Sequence, residues 1–254
     1  MKNIIKALGI RFQIQENEKE RIQFQKEFFL DRSSFQVQCG PFKGLTYPFA
    51  NSLGSAFFPK ILGSYECELW PVLEEFRKRG YELVFDVGCA EGFFAAGLAY
   101  LLKPKKVFAF DIDPLSQNCV ENLAKANDVD EVVEYVLGNF ELGKAQSLET
   151  RNLVFMDVEG AENQLFNGVN PSHFTNSDFL IECHVWENPN FAQELMEMFD
   201  ATHTGRVISS WDKERKRHLF SGQISHYSRV IQDLWLEEGR RMTTDWLVLM
   251  AKNG

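Results

Sequence analysis

Cysteine is scarce in this chain and never clustered. Five residues, Cys39, Cys67, Cys89, Cys119 and Cys183, are scattered over 254 positions with no CxxC pair. An odd number of thiols without metal-ligand spacing points to reduced cysteines in a reducing compartment. Long apolar runs are absent too: nothing approaches the roughly 18 consecutive apolar residues of a membrane helix. The opening stretch MKNIIKALGIRFQIQ is interrupted by Lys6, Arg11 and Gln13, and is too polar for a secretory signal. A soluble cytoplasmic protein without a membrane span is therefore expected. Positive charge is in deficit, with 27 Lys and Arg against 36 Asp and Glu and a formal net charge of -9. Such a chain repels a phosphate backbone, which argues against a nucleic-acid partner. No repeat, no low-complexity segment, no G-x-G-x-x-G and no G-x-x-x-x-G-K-[ST] occurs.

What is present suits one large α/β domain. Hydrophobic residues make up 44% of the chain, and Phe alone contributes 23. Residues 16–30 read as a helix with one apolar edge. Residues 35–62, rich in Gly and Pro with short alternating runs, read as strands and turns, a hairpin among them. Ser64 is placed to cap a helix over 65–78. From residue 82 a regular alternation begins. Strands are predicted at 83–87, 107–111, 132–138, 152–158, 179–185, 206–210 and 245–251. Helices are predicted at 91–102, 115–126, near 190–199, and as a short turn from Ala161. Strand alternating with helix means a mostly parallel sheet with helices on both faces. On this reading residues 1–64 are an N-terminal extension and 65–254 the main domain. The charged stretch 211–244 is an insertion or lid over the acceptor.

The first strand of the alternation ends in Asp86-Val87-Gly88-Cys89-Ala90-Glu91-Gly92, a D-x-G-x-x-x-G turn into a helix. Gly88 permits a tight turn, and Gly92 lets the helix start close to the sheet. The cofactor would then lie across the carboxyl ends of the strands. The next strand ends in Asp111 and Ile112, where a carboxylate can accept ribose hydroxyls. A dinucleotide site wants glycine where Ala90 stands, which weakens a nicotinamide oxidoreductase reading. S-adenosylmethionine carries no phosphate and needs no phosphate cradle. The expected cofactor contacts are Asp86, Gly88, Cys89, Ala90, Glu91, Gly92, Asp111 and Ile112. Asn139, after the third strand, can contact adenine or simply turn the chain. Tyr65, before the sheet, can reach the amino or carboxyl end of the cofactor, and Glu66 has a similar position.

The blocks VFDVGCAEGFFAAGLA (84–99), VFAFDIDP (107–114), FMDVEGAENQLFNG (155–168) and LIECH (180–184) resemble the FkbM-type methyltransferases over about residues 65–185. The family usually has Glu-Pro at the end of the second strand, where this chain has Asp111-Ile112-Asp113-Pro114. The resemblance implies a class I, Rossmann-like sheet of seven strands with the last antiparallel. It also implies O-methylation of a small metabolite, sugar or glycan. Modification of nitrogen or of a macromolecule, or a cofactor-binding subunit without catalysis, are the other readings.

An alcohol acceptor must lose its proton as the new bond forms, so a base or a metal is useful. Asp157 and Glu159 in DVEGAE and Glu182 and His184 in IECH sit at neighbouring strand ends, two residues apart within each strand. They are the candidate catalytic residues. Glu162 serves either function or the first turn of its helix. A divalent ion can be held by such a set, but a metal-free pair in which a carboxylate orients His184 is preferred. The basic run 213–218 reads as a solvated loop or a phosphate-attracting patch. The partner expected is a small molecule or saccharide, and the reading is compatible with a homodimer.

Overall fold

Uninterrupted apolar runs make strands that must be covered on both faces, and that requirement organises the chain. The computed structural model describes residues 2–53, 55–146, 149–184, 188–239 and 244–252, the side chains of residues 2–12 excepted. It opens with a long helix, α1 (Lys2–Phe29), which extends well before the predicted 16–30. A two-stranded antiparallel pair follows, β1 (Phe35–Gln36) with β2 (Thr46–Tyr47). The rest of the segment read as strands and turns contains a helix, α2 (Phe57–Leu62), every residue of which is buried. Its aromatic-rich sequence gave no polar face by which to recognise a helix. A 3-10 turn at Cys67–Leu69 and α3 (Trp70–Arg79) take the place of one helix over 65–78. Ser64 caps neither; its hydroxyl donates to the carbonyl of Trp235 (2.9 Å).

The alternating part then runs β3 (Leu83–Val87), α4 (Phe93–Leu102), β4 (Lys106–Asp111), α5 (Ser116–Ala126), β5 (Val133–Leu137), β6 (Asn152–Met156), α6 (Glu162–Leu165), β7 (Ser177–Cys183), α7 (Phe191–Phe199) and β8 (His203–Ser209). Three helices, α8 (Lys213–Leu219), α9 (Ser221–Ile224) and α10 (Arg229–Leu236), precede the last strand, β9 (Asp245–Ala251). The strand order is β5-β4-β3-β6-β7-β9-β8, with β9 antiparallel to both neighbours and the pairs from β5 to β7 parallel. A seven-stranded sheet with this order and a single reversed strand inserted next to last is the class I methyltransferase fold. Its strand order reverses beside β3. Val87 is aligned with Phe110 on one side and Met156 on the other, so three loops leave from adjacent strand ends. Ligands of doubly wound sheets bind in such a crevice.

The segment 211–244 was expected as a lid over the acceptor; of its described residues, the helical part 213–236 packs into the core instead. Phe220, Ile224, Ile231, Trp235 and Leu236 are buried in the same core as the α4 face of the sheet. Trp235 meets Phe58 of α2 (ring centroids 5.1 Å) and Phe28 of α1 (5.4 Å). The extension and the insertion thus cover each other's apolar faces. The basic run is likewise absorbed. Lys216 is buried between Glu68 and Glu238, Lys213 pairs with Glu237, and Arg217 pairs with Asp233.

Candidate active site

Two close approaches shape the turn after β3. Gly88 has φ +85°, and a Cβ there would lie 1.7 Å from the carbonyl oxygen of Asp157. Gly92, with φ +87°, starts α4 against α5, where a Cβ would meet Val120 Cγ2 at 2.9 Å. Both glycines are therefore required by protein packing, a stronger reason than the ligand clearance suggested by the motif. Between them Ala90 adopts φ +46°. That conformation aims its N–H at Asp111 Oδ2 (2.8 Å), while Asp111 Oδ1 accepts from the N–H of Asp113 (2.8 Å). The turn and the end of β4 are locked together through one carboxylate.

A cavity of about 570 Å³ lies over these strand ends, within the range of small-molecule sites. Among the described residues it is lined by Gly88, Cys89, Ala90 and Glu91 from the turn and by Asp111 and Ile112. Asn139, with Gly138 and Phe140, and Tyr65 also line it. Asp157 and Glu159 complete the wall. Of the expected cofactor contacts, Asp86 and Gly92 are not in the lining. Asp86 is 1% exposed and lies beneath the turn. Burial, reinforced by Asp157 and Asp111, pushes its carboxyl up to about 8. The folded state thus holds a proton that the unfolded chain releases above about pH 4. Asp86 therefore costs stability progressively as pH rises from about 4 to 8. Asp86→Asn, a mimic of the protonated form, is expected to melt above the wild type at pH 8 and close to it at pH 4–5. Thermal melts at the two pH values check this, and a variant destabilised equally at both would contradict it.

The acids of β6 and β7 and the imidazole do come together. His184, 5% exposed, donates from Nδ1 to Glu162 Oε1 (2.6 Å). Glu162 is itself buried at the start of α6. This bond fixes the tautomer and turns Nε2 toward Asp157 Oδ1 (3.8 Å), Glu159 Oε2 (3.7 Å) and Glu182 Oε2 (3.8 Å). Burial draws the His184 pKa down, but the Glu162 hydrogen bond and the surrounding carboxylates outweigh it and hold it above 6.5. Burial and the adjacent Glu182 carboxylate hold Asp157 well above the usual carboxylate range. Burial raises Glu182 as well, against the pull of its hydrogen bonds from Asp157 and Thr244. One ligand atom each from Asp157, Glu182 and His184 lie within 4.8 Å of one another, so these three could hold a metal ion. Asp157 and Glu159 face the cavity, whereas Glu182 and His184 stand behind them. Glu159 (φ +53°) and Gly160 (φ +101°) form the sharp turn that brings α6 and Glu162 back to the imidazole.

Sequence reasoning missed Lys60, Ser52 and Ser55 from the extension: Lys60 and Ser52 meet Glu91 beside the cavity, and Ser55 accepts from Lys60. A lysine inside FFPKIL was the available signal, since a charge within an apolar run needs a buried partner. Glu66 does not line the cavity; its Oε2 accepts from Trp246 Nε1 (2.9 Å).

No family model matches the chain, and no curated protein matches it. Solved structures similar to it include an rRNA methylase from Streptococcus thermophilus, at 12% identity and a TM-score of 0.49, covering 73% of this chain and 96% of that one. A precorrin-6y C5,15-methyltransferase from Geobacter metallireducens is similar at 10% identity and a TM-score of 0.44, covering 71% and 87%. A ribosomal protein L11 methylase from Lactobacillus delbrueckii subsp. bulgaricus is similar at 16% identity and a TM-score of 0.42, covering 71% and 77%. At these values the strand order and the geometry of the cavity, rather than the likeness, carry the assignment of the class I methyltransferase fold.

Proposed function

We propose that the chain is an S-adenosylmethionine-dependent O-methyltransferase of the FkbM type, acting on a hydroxyl of a saccharide or another small metabolite. One observation carries the donor assignment. Among the described residues, the acidic side chains of the cavity wall are Glu91, Asp111, Asp157 and Glu159, against Lys60 as the one basic side chain. A wall of that sign disfavours a pyrophosphate and suits a cationic sulfonium. S-adenosylmethionine, when bound, supplies an electrophilic methyl group on a positively charged sulfur. Asp111 would hold its ribose, Ile112 and Phe140 its adenine, with Asn139 beside the ring.

The remaining work belongs to the chain. Asp157 and Glu159 orient the acceptor hydroxyl at the wall, and alignment is the main demand of an in-line displacement. The hydroxyl proton passes to the Glu159 carboxylate at the wall and on to Nε2 of His184, which stands 3.7 Å behind it and is held by Glu162. Asp111→Ala is expected to weaken binding of S-adenosylhomocysteine by roughly 10–100-fold, the loss of one charge-assisted contact. Calorimetry reads it, and unchanged affinity would remove Asp111 from the donor site.

The test of the acceptor class uses donor carrying a labelled methyl group, incubated with a saccharide fraction and with total RNA, each with and without chelator. Label in saccharide, insensitive to chelator, is the expected result. Two of the similar structures above are named for rRNA and ribosomal-protein methylation, so macromolecular substrates are the natural second arm. Label in RNA alone would replace the metabolite reading. Loss of transfer with chelator, restored by Mg²⁺ or Mn²⁺, would make Asp157, Glu182 and His184 ligands of an ion.

A further inference from the structure

One polar cluster beside the cavity is built from two distant stretches of chain. Lys60 on α2 and Glu91 in the turn after β3 are 3% and 1% exposed, and Lys60 Nζ donates directly to Glu91 Oε1. The same ammonium donates to Ser52 Oγ (3.0 Å) and Ser55 Oγ (2.6 Å). Glu91 Oε1 also accepts from Ser52 Oγ (2.7 Å) and Tyr47 OH (2.9 Å). The three N–H bonds of Lys60 are thus all in use. Glu91 Oε2, by contrast, is buried with no hydrogen-bond partner. Burial would raise this carboxyl, but Lys60 outweighs it and keeps the group ionised. A buried, charged oxygen without a donor is costly to maintain, and Glu91, Ser55, Lys60 and Tyr65 all line the cavity.

We propose that this pair reads a zwitterionic α-amino-acid group, with Glu91 Oε2 accepting from its ammonium and the Ser55 hydroxyl, backed by Lys60, donating to its carboxylate. The proposal rests on the donor reading above and gives the methionine end of that donor its place. Charge balance selects the ligand. Lys60 and Glu91 neutralise each other, so a lone cation or anion would leave uncompensated charge in a buried setting. A group carrying both signs adds none, and its ammonium supplies the donor that Oε2 lacks. The rings of Tyr65 and Phe93 stand 4.9 and 5.2 Å from Lys60 Nζ and keep water from the pair. The N-terminal extension therefore furnishes part of the donor site, and the cluster is absent without α2.

Calorimetric titration with S-adenosylhomocysteine and with 5′-methylthioadenosine, which lacks the amino-acid arm, tests this. The wild type is expected to prefer S-adenosylhomocysteine. Glu91→Gln and Lys60→Met should each weaken that ligand about tenfold to a hundredfold and leave 5′-methylthioadenosine binding unchanged. Either single change strands one buried charge, so the K60M/E91L double variant, which removes both, is titrated alongside. Any folded variant that keeps the wild-type preference overturns the proposal, as does equal loss of both ligands. A wild type that binds both ligands alike refutes the pair's role while leaving the donor reading standing. A wild type that binds neither removes the donor reading itself.

Discussion

Gly88→Ala should leave little or no folded protein. The added Cβ would sit 1.7 Å from the Asp157 carbonyl oxygen and 2.8 Å from its carbon. Neither atom belongs to a flexible side chain. Asp157 N already donates to Val87 O (2.9 Å), and Gly88 N to Phe110 O (2.9 Å). The turn therefore cannot swing away without breaking the ends of two strand pairings. The φ of +85° adds strain for any L side chain. A cost of about 4 kcal/mol or more falls in the exceptional tail of single substitutions. Set against a total stability of about 5–15 kcal/mol, it removes most of the folded state. Gly92→Ala should cost less, because Val120 Cγ2 at 2.9 Å can shift in part. Soluble yield and urea unfolding of the two variants check the order. A Gly88→Ala protein melting within a few degrees of the wild type would show that the β3 and β6 turns are not in contact.

The second large effect is chemical. His184→Ala should lower the rate on the true acceptor by about 10²–10⁴-fold while leaving donor affinity nearly intact. The pH profile carries a sign that a packing role would not produce. Proton uptake needs a neutral imidazole, and Glu162 helps to hold the His184 pKa above 6.5 in spite of burial. The acid limb of kcat is therefore expected above pH 6.5, with activity rising as pH rises through it. Glu162→Gln removes the charged partner, so burial regains the upper hand and the limb should move to lower pH. A limb that stays in place, or moves up, would take the Glu162–His184 pair out of proton transfer.

The sheet was legible because its strands are apolar on both faces and end in small, acidic or turn-forming residues. Runs 83–87 and 245–251 were located to the residue, and the glycine turn was placed correctly. The clustering of Glu182 and His184 with Asp157 was legible for a different reason: both lie in LIECH, at the end of a strand too apolar to be solvated surface. What could not be read depends on contacts between distant stretches. The helix Phe57–Leu62 has no amphipathic period, since Phe28 of α1, Phe35 and Tyr47 of the β1–β2 pair and Trp235 of α10 pack around its rings. The charge of 213–218 suggested a solvated loop or a phosphate-attracting patch, yet Lys216 turns inward to Glu68 and Glu238, and Asp212 caps the helix that carries it. The ion pair of Lys60 with Glu91 spans 31 residues of sequence, and no local pattern links the two.

On the proposed reading, the acidic cavity over Gly88–Glu91 and Asp111 takes a sulfonium donor rather than a phosphate-bearing nucleotide. Side-by-side calorimetry of the wild type with S-adenosylmethionine, NADH and ATP tests it directly. Binding of S-adenosylmethionine at micromolar strength, about 8 kcal/mol, with no measurable heat from NADH or ATP, is the predicted result. Preference for NADH or ATP, or no binding of S-adenosylmethionine at all, would contradict it.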